Sequence, residues 1–159
     1  MLQHKQGDLL TMAAEGDFDV IVQGCNCFNA MGGGIARTIA ERYPEAQAVD
    51  NTTQRGDYTK LGNYTVITTL EREGQTPFIL VNAYTQYSTS REGEDVFEYM
   101  AFGLICQKLA HQYGHLRIGL PYIGMGLAGG DKEVIMEMIE DFATDVDVKG
   151  GSVTLVEYK

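Results

Sequence analysis

The sequence predicts an α/β fold in which about six strands alternate with three or four helices, giving a sheet covered on both faces. Three observations carry this expectation. A β-branched run, Val20-Ile21-Val22, reads as a buried strand. Residues 32–43 and 132–144 carry apolar side chains at helical spacing. Two glycine clusters, Gly32-Gly33-Gly34 and Gly124 to Gly130, each stand between a strand-like and a helix-like segment.

The elements follow in order. Residues 2–6 read as an opening strand that ends at Gly7-Asp8, and residues 18–24 as the second strand. Residues 32–43 read as a helix with Ile35, Ala36, Ile39, Ala40 and Tyr43 on one face, stopped by Pro44. Residues 64–70 and 78–83 read as strands separated by the turn-rich 73–77. Residues 96–113 read as a longer helix, with Asp95 near its start and Gly114 just past its end. Residues 117–120 form a short strand closed by Pro121. Residues 132–144 read as a helix with Val134, Ile135, Met138, Ile139 and Phe142 facing inward and Asp131 at the N-cap position. Residues 152–157 form the last strand, after Gly150-Gly151. No repeat or linker divides the chain, so residues 1–159 are expected to form a single domain.

Composition narrows the function. The 44% apolar share suits a globular core and argues against disorder. No apolar run approaches a membrane span, and no apolar segment follows Lys5 to make a secretory signal. Three cysteines do not read as a disulfide framework, so a reducing, cytoplasmic setting is expected. The net charge of -10, with Lys and Arg scattered, disfavours nucleic acid and anionic membranes as partners. An anionic ligand would have to be held by backbone N–H groups and helix N-termini.

Three segments carry the candidate chemistry. In residues 20–36 a buried strand runs into a polar loop with Asn26 and Asn29, then the glycine triplet, then a helix. Glycines let a ligand approach the backbone, and the helix start offers free N–H groups to phosphate. A turn that merely packs a helix close to the sheet has the same sequence in isolation. Residues 120–131 repeat the arrangement with Gly124, Gly126, Gly129 and Gly130. Two such loops on neighbouring strand ends would form opposing lips of one cleft. The third segment is Gln6-Gly7-Asp8-Leu9, whose carboxylate suits an adenine amino group; without the other two loops a helix cap would be much the better explanation. No Cys/His spacing suggests zinc, and neither metal nor cofactor is expected. Cys25 and Cys27 flank Asn26, but no neighbouring histidine would activate a thiol, and buried small hydrophobes are the simpler reading.

The order of these segments resembles the macro-domain family over nearly the whole chain, from about Gln6 to Glu157. The matching residues are Gly7-Asp8, Asn26 followed after five residues by Gly32-Gly33-Gly34-Ile35-Ala36, and Ile123-Gly124-Met125-Gly126-Leu127. The continuation RTIAERYPEA is similar to members that remove phosphate from ADP-ribose 1''-phosphate. The resemblance implies a three-layer sandwich with a mixed, mostly parallel sheet. It implies ADP-ribose or its 1''-phosphate as the ligand, with Asp8 at the adenine amino group and Leu9 also binding ligand. Gly33, Gly34 and Ile35 would lie along the diphosphate and Asn26 at the distal ribose, with Gly24 and Gly32 also among the ligand-binding residues. Ile123, Gly124, Met125, Gly126 and Leu127 would close from the other side, and Asn82 and Ala83 would form part of the wall.

Departures bear on the reaction. Gln23 and Met31 stand where many relatives have asparagine or histidine, and Ala128 lies near where they place an aromatic residue. Gln86 occupies the place of the lysine used to cleave ADP-ribose from macromolecules, which argues against that activity. Two classes stay open: a phosphatase acting on ADP-ribose 1''-phosphate, with Asn26 positioning the ribose and Asp131 as candidate base, and a non-catalytic reader of ADP-ribose.

Overall fold

The computed structural model describes residues 1–89 and 94–159. Six strands, β1 (Gln3–Gly7), β2 (Val20–Cys25), β3 (Tyr64–Thr68), β4 (Ile79–Tyr84), β5 (Arg117–Leu120) and β6 (Ser152–Tyr158), form one sheet of order β1-β6-β5-β2-β4-β3. All pairs are parallel except β3 with β4. The mixed, mostly parallel α/β sheet is the one expected.

Alternation along the strands builds two cores, one on each face. Val20 and Val22 of β2 and Val81 and Ala83 of β4 face helices α4 (Tyr99–Tyr113) and α5 (Lys132–Val148). Ile21 and Leu80 face the other way, toward α1 (Leu9–Ala14), α2 (Gly34–Arg42) and α3 (Pro44–Asp50). The register of β2 on β5 is clamped at its start. The Asp19 carboxylate accepts from the Arg117 backbone N–H at 2.9 Å and from the guanidinium at 2.9 and 3.0 Å.

Three differences from expectation bear on the site. Pro44 ends α2 but opens α3, because proline at the first helical position loses no hydrogen bond. A six-residue α1 follows Asp8. Helix α4 starts at Tyr99 rather than near Val96, because Val96 and Glu98 spend their N–H groups on Ala128 and Thr85 carbonyls. That detour ties the entry of α4 to the loops at the carboxyl ends of β4 and β5.

Candidate functional site

Loops leave the carboxyl ends of β1, β2, β4 and β5 on one edge of the sheet, the place where open α/β sheets hold ligands. They enclose two cavities of about 600 and 530 Å³. Both are lined by Gly34, Ile35, Pro121 and Tyr122, so they form two lobes of one trough.

The glycine triplet forms one lip. Gly33 is extended (φ -142°), and a Cβ placed on it would meet only Leu127 Cδ1, at 3.8 Å. Gly33 and Leu127 therefore face each other across the trough. Gly34 opens α2 with φ +57°, which a side chain would strain. The opposite lip, residues 121–130, is stitched by its own backbone. Ile123 N–H donates to Pro121 O at 2.7 Å and Gly130 N–H to Gly124 O at 2.8 Å. Gly124 has φ +76°, and a Cβ there would stand 2.5 Å from a ring carbon of Phe97, so only glycine lets this loop lie on the core.

The first lobe is lined by Gly7, Asp8, Leu9, Thr38, Arg42, Glu157 and Tyr158 besides the shared residues. Asp8 caps α1, its Oδ1 accepting from Leu10 and Thr11 N–H at 3.0 and 3.2 Å, while Oδ2 stands 3.3 Å from an Arg42 guanidinium nitrogen. The cap and ligand readings of Asp8 are thus compatible, since the capping carboxylate also lines the lobe. Thr38 and Arg42 were not anticipated. They lie four and eight residues past Gly34, on the same face of α2, and helical periodicity alone would have found them.

The second lobe holds Gly24, Cys25, Asn26, Gly32, Gly33, Ile123, Gly124, Gly126 and Leu127, and adds Thr85, Gln86 and Thr89. Asn26 closes its own loop. Its Oδ1 accepts from Phe28 N–H at 2.9 Å and Ala30 N–H at 3.4 Å, and Nδ2 donates to Ala30 O at 2.9 Å. Neither Asp, Glu, His, Lys nor Arg is among the described residues of this lobe. Burial pushes the Cys25 thiol well above its ordinary range, and Cys27 to about 11, so neither is an activated nucleophile. Ala128 is buried and lines the lobe.

Four expected site residues lie elsewhere. Asn82 and Ala83 do not form the cleft wall, because both are fully buried within the sheet. The Asn82 amide accepts from Gln23 Nε2 at 2.8 Å and donates to Ala46 O and Thr65 Oγ1 at 3.1 and 3.2 Å. Met125 packs against the core beneath its loop instead of lining the trough. Asp131 caps α5, accepting from Glu133 and Val134 N–H at 3.0 and 3.4 Å, and lines neither lobe. The candidate base is thus engaged as a helix cap and is not among the residues lining either lobe.

This architecture is the macrodomain fold. The macrodomain of Mycobacterium tuberculosis DarG superposes with a TM-score of 0.70 at 22% identity, covering 98% of this chain and 97% of that one. Thermosipho africanus DarTG in complex with ADP-ribose matches with a TM-score of 0.75 at 12% identity, over 98% of this chain and 41% of that larger one. In sequence, the chain is 29% identical over 154 residues to an uncharacterized 17.5 kDa protein of the tk-vs intergenic region of Enterobacteria phage T4, covering 93% of this chain and 94% of its relative. No protein-family model matches the chain.

Proposed function

We propose that residues 1–159 form one ADP-ribose-binding domain and that the trough takes the adenosine half in its first lobe and the distal ribose in its second. The observation that carries this reading is the pair of lobes joined at Gly34, Ile35, Pro121 and Tyr122. A two-ended nucleotide needs a site of that shape, with a hydrogen-bonding carboxylate at one end and glycine backbone where the diphosphate crosses. The likeness to a protein solved with ADP-ribose supports the same ligand. Backbone N–H groups supply attraction for the phosphates without cations, which suits a chain of net charge -10. Three free cysteines among the described residues support a reducing, cytoplasmic setting.

The reaction we propose is hydrolysis of ADP-ribose 1''-phosphate by water, giving ADP-ribose and inorganic phosphate. Asn26 positions the distal ribose, and N–H groups of the glycine lips stabilise charge on the phosphoryl oxygens. A second reading, binding without turnover, has one observation in its favour: no Asp, Glu, His, Lys or Arg is among the described residues that line the distal lobe. Two measurements separate the outcomes. ADP-ribose at millimolar concentration raises the melting temperature if the trough binds it, and an unmoved melting curve with no calorimetric heat refutes the ligand assignment. Phosphate release from ADP-ribose 1''-phosphate supports the enzyme, whereas tight binding without release leaves the reader.

A further inference from the structure

A buried cation lies beneath the loop that carries Asn26. Lys60, at the end of the single turn Tyr58–Lys60, is 7% exposed. Its Nζ donates to Asn29 Oδ1 at 2.6 Å and to Thr53 Oγ1 at 2.8 Å, and stands 5.4 Å from the centroid of the Tyr84 ring. The Tyr84 hydroxyl in turn donates to Asp50 Oδ1 at 2.7 Å, and Asp50 is itself buried. None of Lys60, Asn29, Thr53 or Asp50 lines either lobe.

Burying an ammonium is costly, and an apolar side chain of the same length would pack there more cheaply. The contacts of Lys60 show what the cost supports. Asn29 is the one non-glycine residue with left-handed backbone among the described residues (φ 56°). It sits between the two residues that Asn26 grips, Phe28 and Ala30. Asn29 also donates through Nδ2 to Thr53 O at 3.0 Å, and its own carbonyl accepts from Gln47 Nε2 at 3.4 Å. The Asn26 loop is thus held from above by its own amide and from below by the Lys60 ammonium.

We propose that Lys60 is a positioning residue for the distal-ribose end of the site: by holding Asn29 it fixes the loop 26–30 and so the direction of the Asn26 amide. This rests on the ADP-ribose assignment made above. It extends it by locating the preference for ADP-ribose over ADP in a tether that never touches ligand. The adenosine lobe shares no residue with the tether, so ADP binding is independent of it.

The test is calorimetry on the full chain with ADP and with ADP-ribose, for the wild type, Lys60→Met, Asn29→Gly, Asn26→Ala and the Lys60→Met/Asn26→Ala pair. Asn29→Gly keeps the left-handed backbone while removing the tether, so it serves if the lysine variant does not fold. The wild type is expected to prefer ADP-ribose. Lys60→Met and Asn29→Gly are each expected to lose about tenfold of that preference with ADP affinity kept within about twofold, and Asn26→Ala to cost little more once Lys60 is gone. The proposal is overturned if a folded tether variant keeps the full preference, or if ADP and ADP-ribose weaken equally. It is also overturned if the wild type does not distinguish the two. A wild type that binds neither nucleotide refutes the ligand assignment itself, an outcome distinct from the other three.

Discussion

Placing a single negative charge on the glycine lip tests where the diphosphate lies. Gly33 is exposed and extended, and a Cβ there meets only Leu127 Cδ1, at 3.8 Å. The fold therefore accepts a side chain at this position, and Gly33→Glu is expected to melt within about 2 °C of the wild type, as surface substitutions usually do. Its carboxylate would stand about 5 Å from a bound phosphate charge, which costs about 1 kcal/mol at the dielectric of water and about 3 kcal/mol at an effective value near 20. The lip is half open to solvent, so the expected loss of ADP-ribose affinity is about tenfold to a hundredfold. Gly33→Gln has nearly the same shape without the charge. The ratio of the two variants' dissociation constants, measured by calorimetry, isolates the electrostatic part, and that ratio should shrink as salt is added. Equal affinities for the Glu and Gln variants at low salt would place the phosphates away from this lip and refute the assignment.

Other outcomes follow from the same geometry. Asn26→Ala is expected to lower phosphate release by about tenfold to a hundredfold, or 1.4–2.8 kcal/mol, while ADP affinity holds; full turnover in the variant would remove Asn26 from the mechanism. Arg117 hydrogen bonds hold the Asp19 carboxyl below its ordinary range. A depressed folded value means the pair contributes stability above the unfolded carboxylate value of about 3.9 and loses it as pH falls through the folded one. Asp19→Asn should therefore lower the melting temperature at pH 7, by no more than the equivalent of about 1 kcal/mol for so exposed a pair, and the gap should close below about pH 4. Cys25, Cys27 and Cys106 are buried, and burial pushes Cys106 to about 12 and Cys27 to about 11. Mass spectrometry should accordingly find them unalkylated in the native protein at pH 8 and fully alkylated in guanidinium; fast native labelling of Cys25 would reopen a thiol mechanism.

What could be read in advance was local. The glycine triplet, the second glycine loop and the strands β2 and β4 announce themselves within a dozen residues each, and the trough is built where they pointed. Helix α3 was hidden because Pro44 is both a stop and a start, and sequence pattern alone favoured the stop. Asn82 was misplaced because its partners, Gln23, Ala46 and Thr65, are 59, 36 and 17 residues away. A strand-end asparagine looks like a ligand group until those partners are known. Lys60 drew no notice in the sequence for the same reason: Asn29, its closest partner, is 31 residues away in the chain.

The distribution of charge across the trough bears on how any catalysis here would work. The first lobe has Asp8, Arg42 and Glu157, whereas the second has polar but uncharged groups in Asn26, Thr85, Gln86 and Thr89 among its described residues. Cys25, the thiol in that lobe, is held protonated by burial. A site of this composition gains little from general acid–base groups and must gain from alignment, whose value falls steeply with small displacements of the reacting end. Alignment in turn needs a loop with one conformation. The residues of loop 26–30 are fastened by the Asn26 amide, by Cys27 N–H to Tyr87 O at 2.9 Å, by Gly56 N–H to Cys27 O at 2.7 Å, and by Lys60 through Asn29. Fastening of that kind suits the orientation-driven hydrolysis proposed above, and the Asn26→Ala turnover measurement decides whether the loop is used for it.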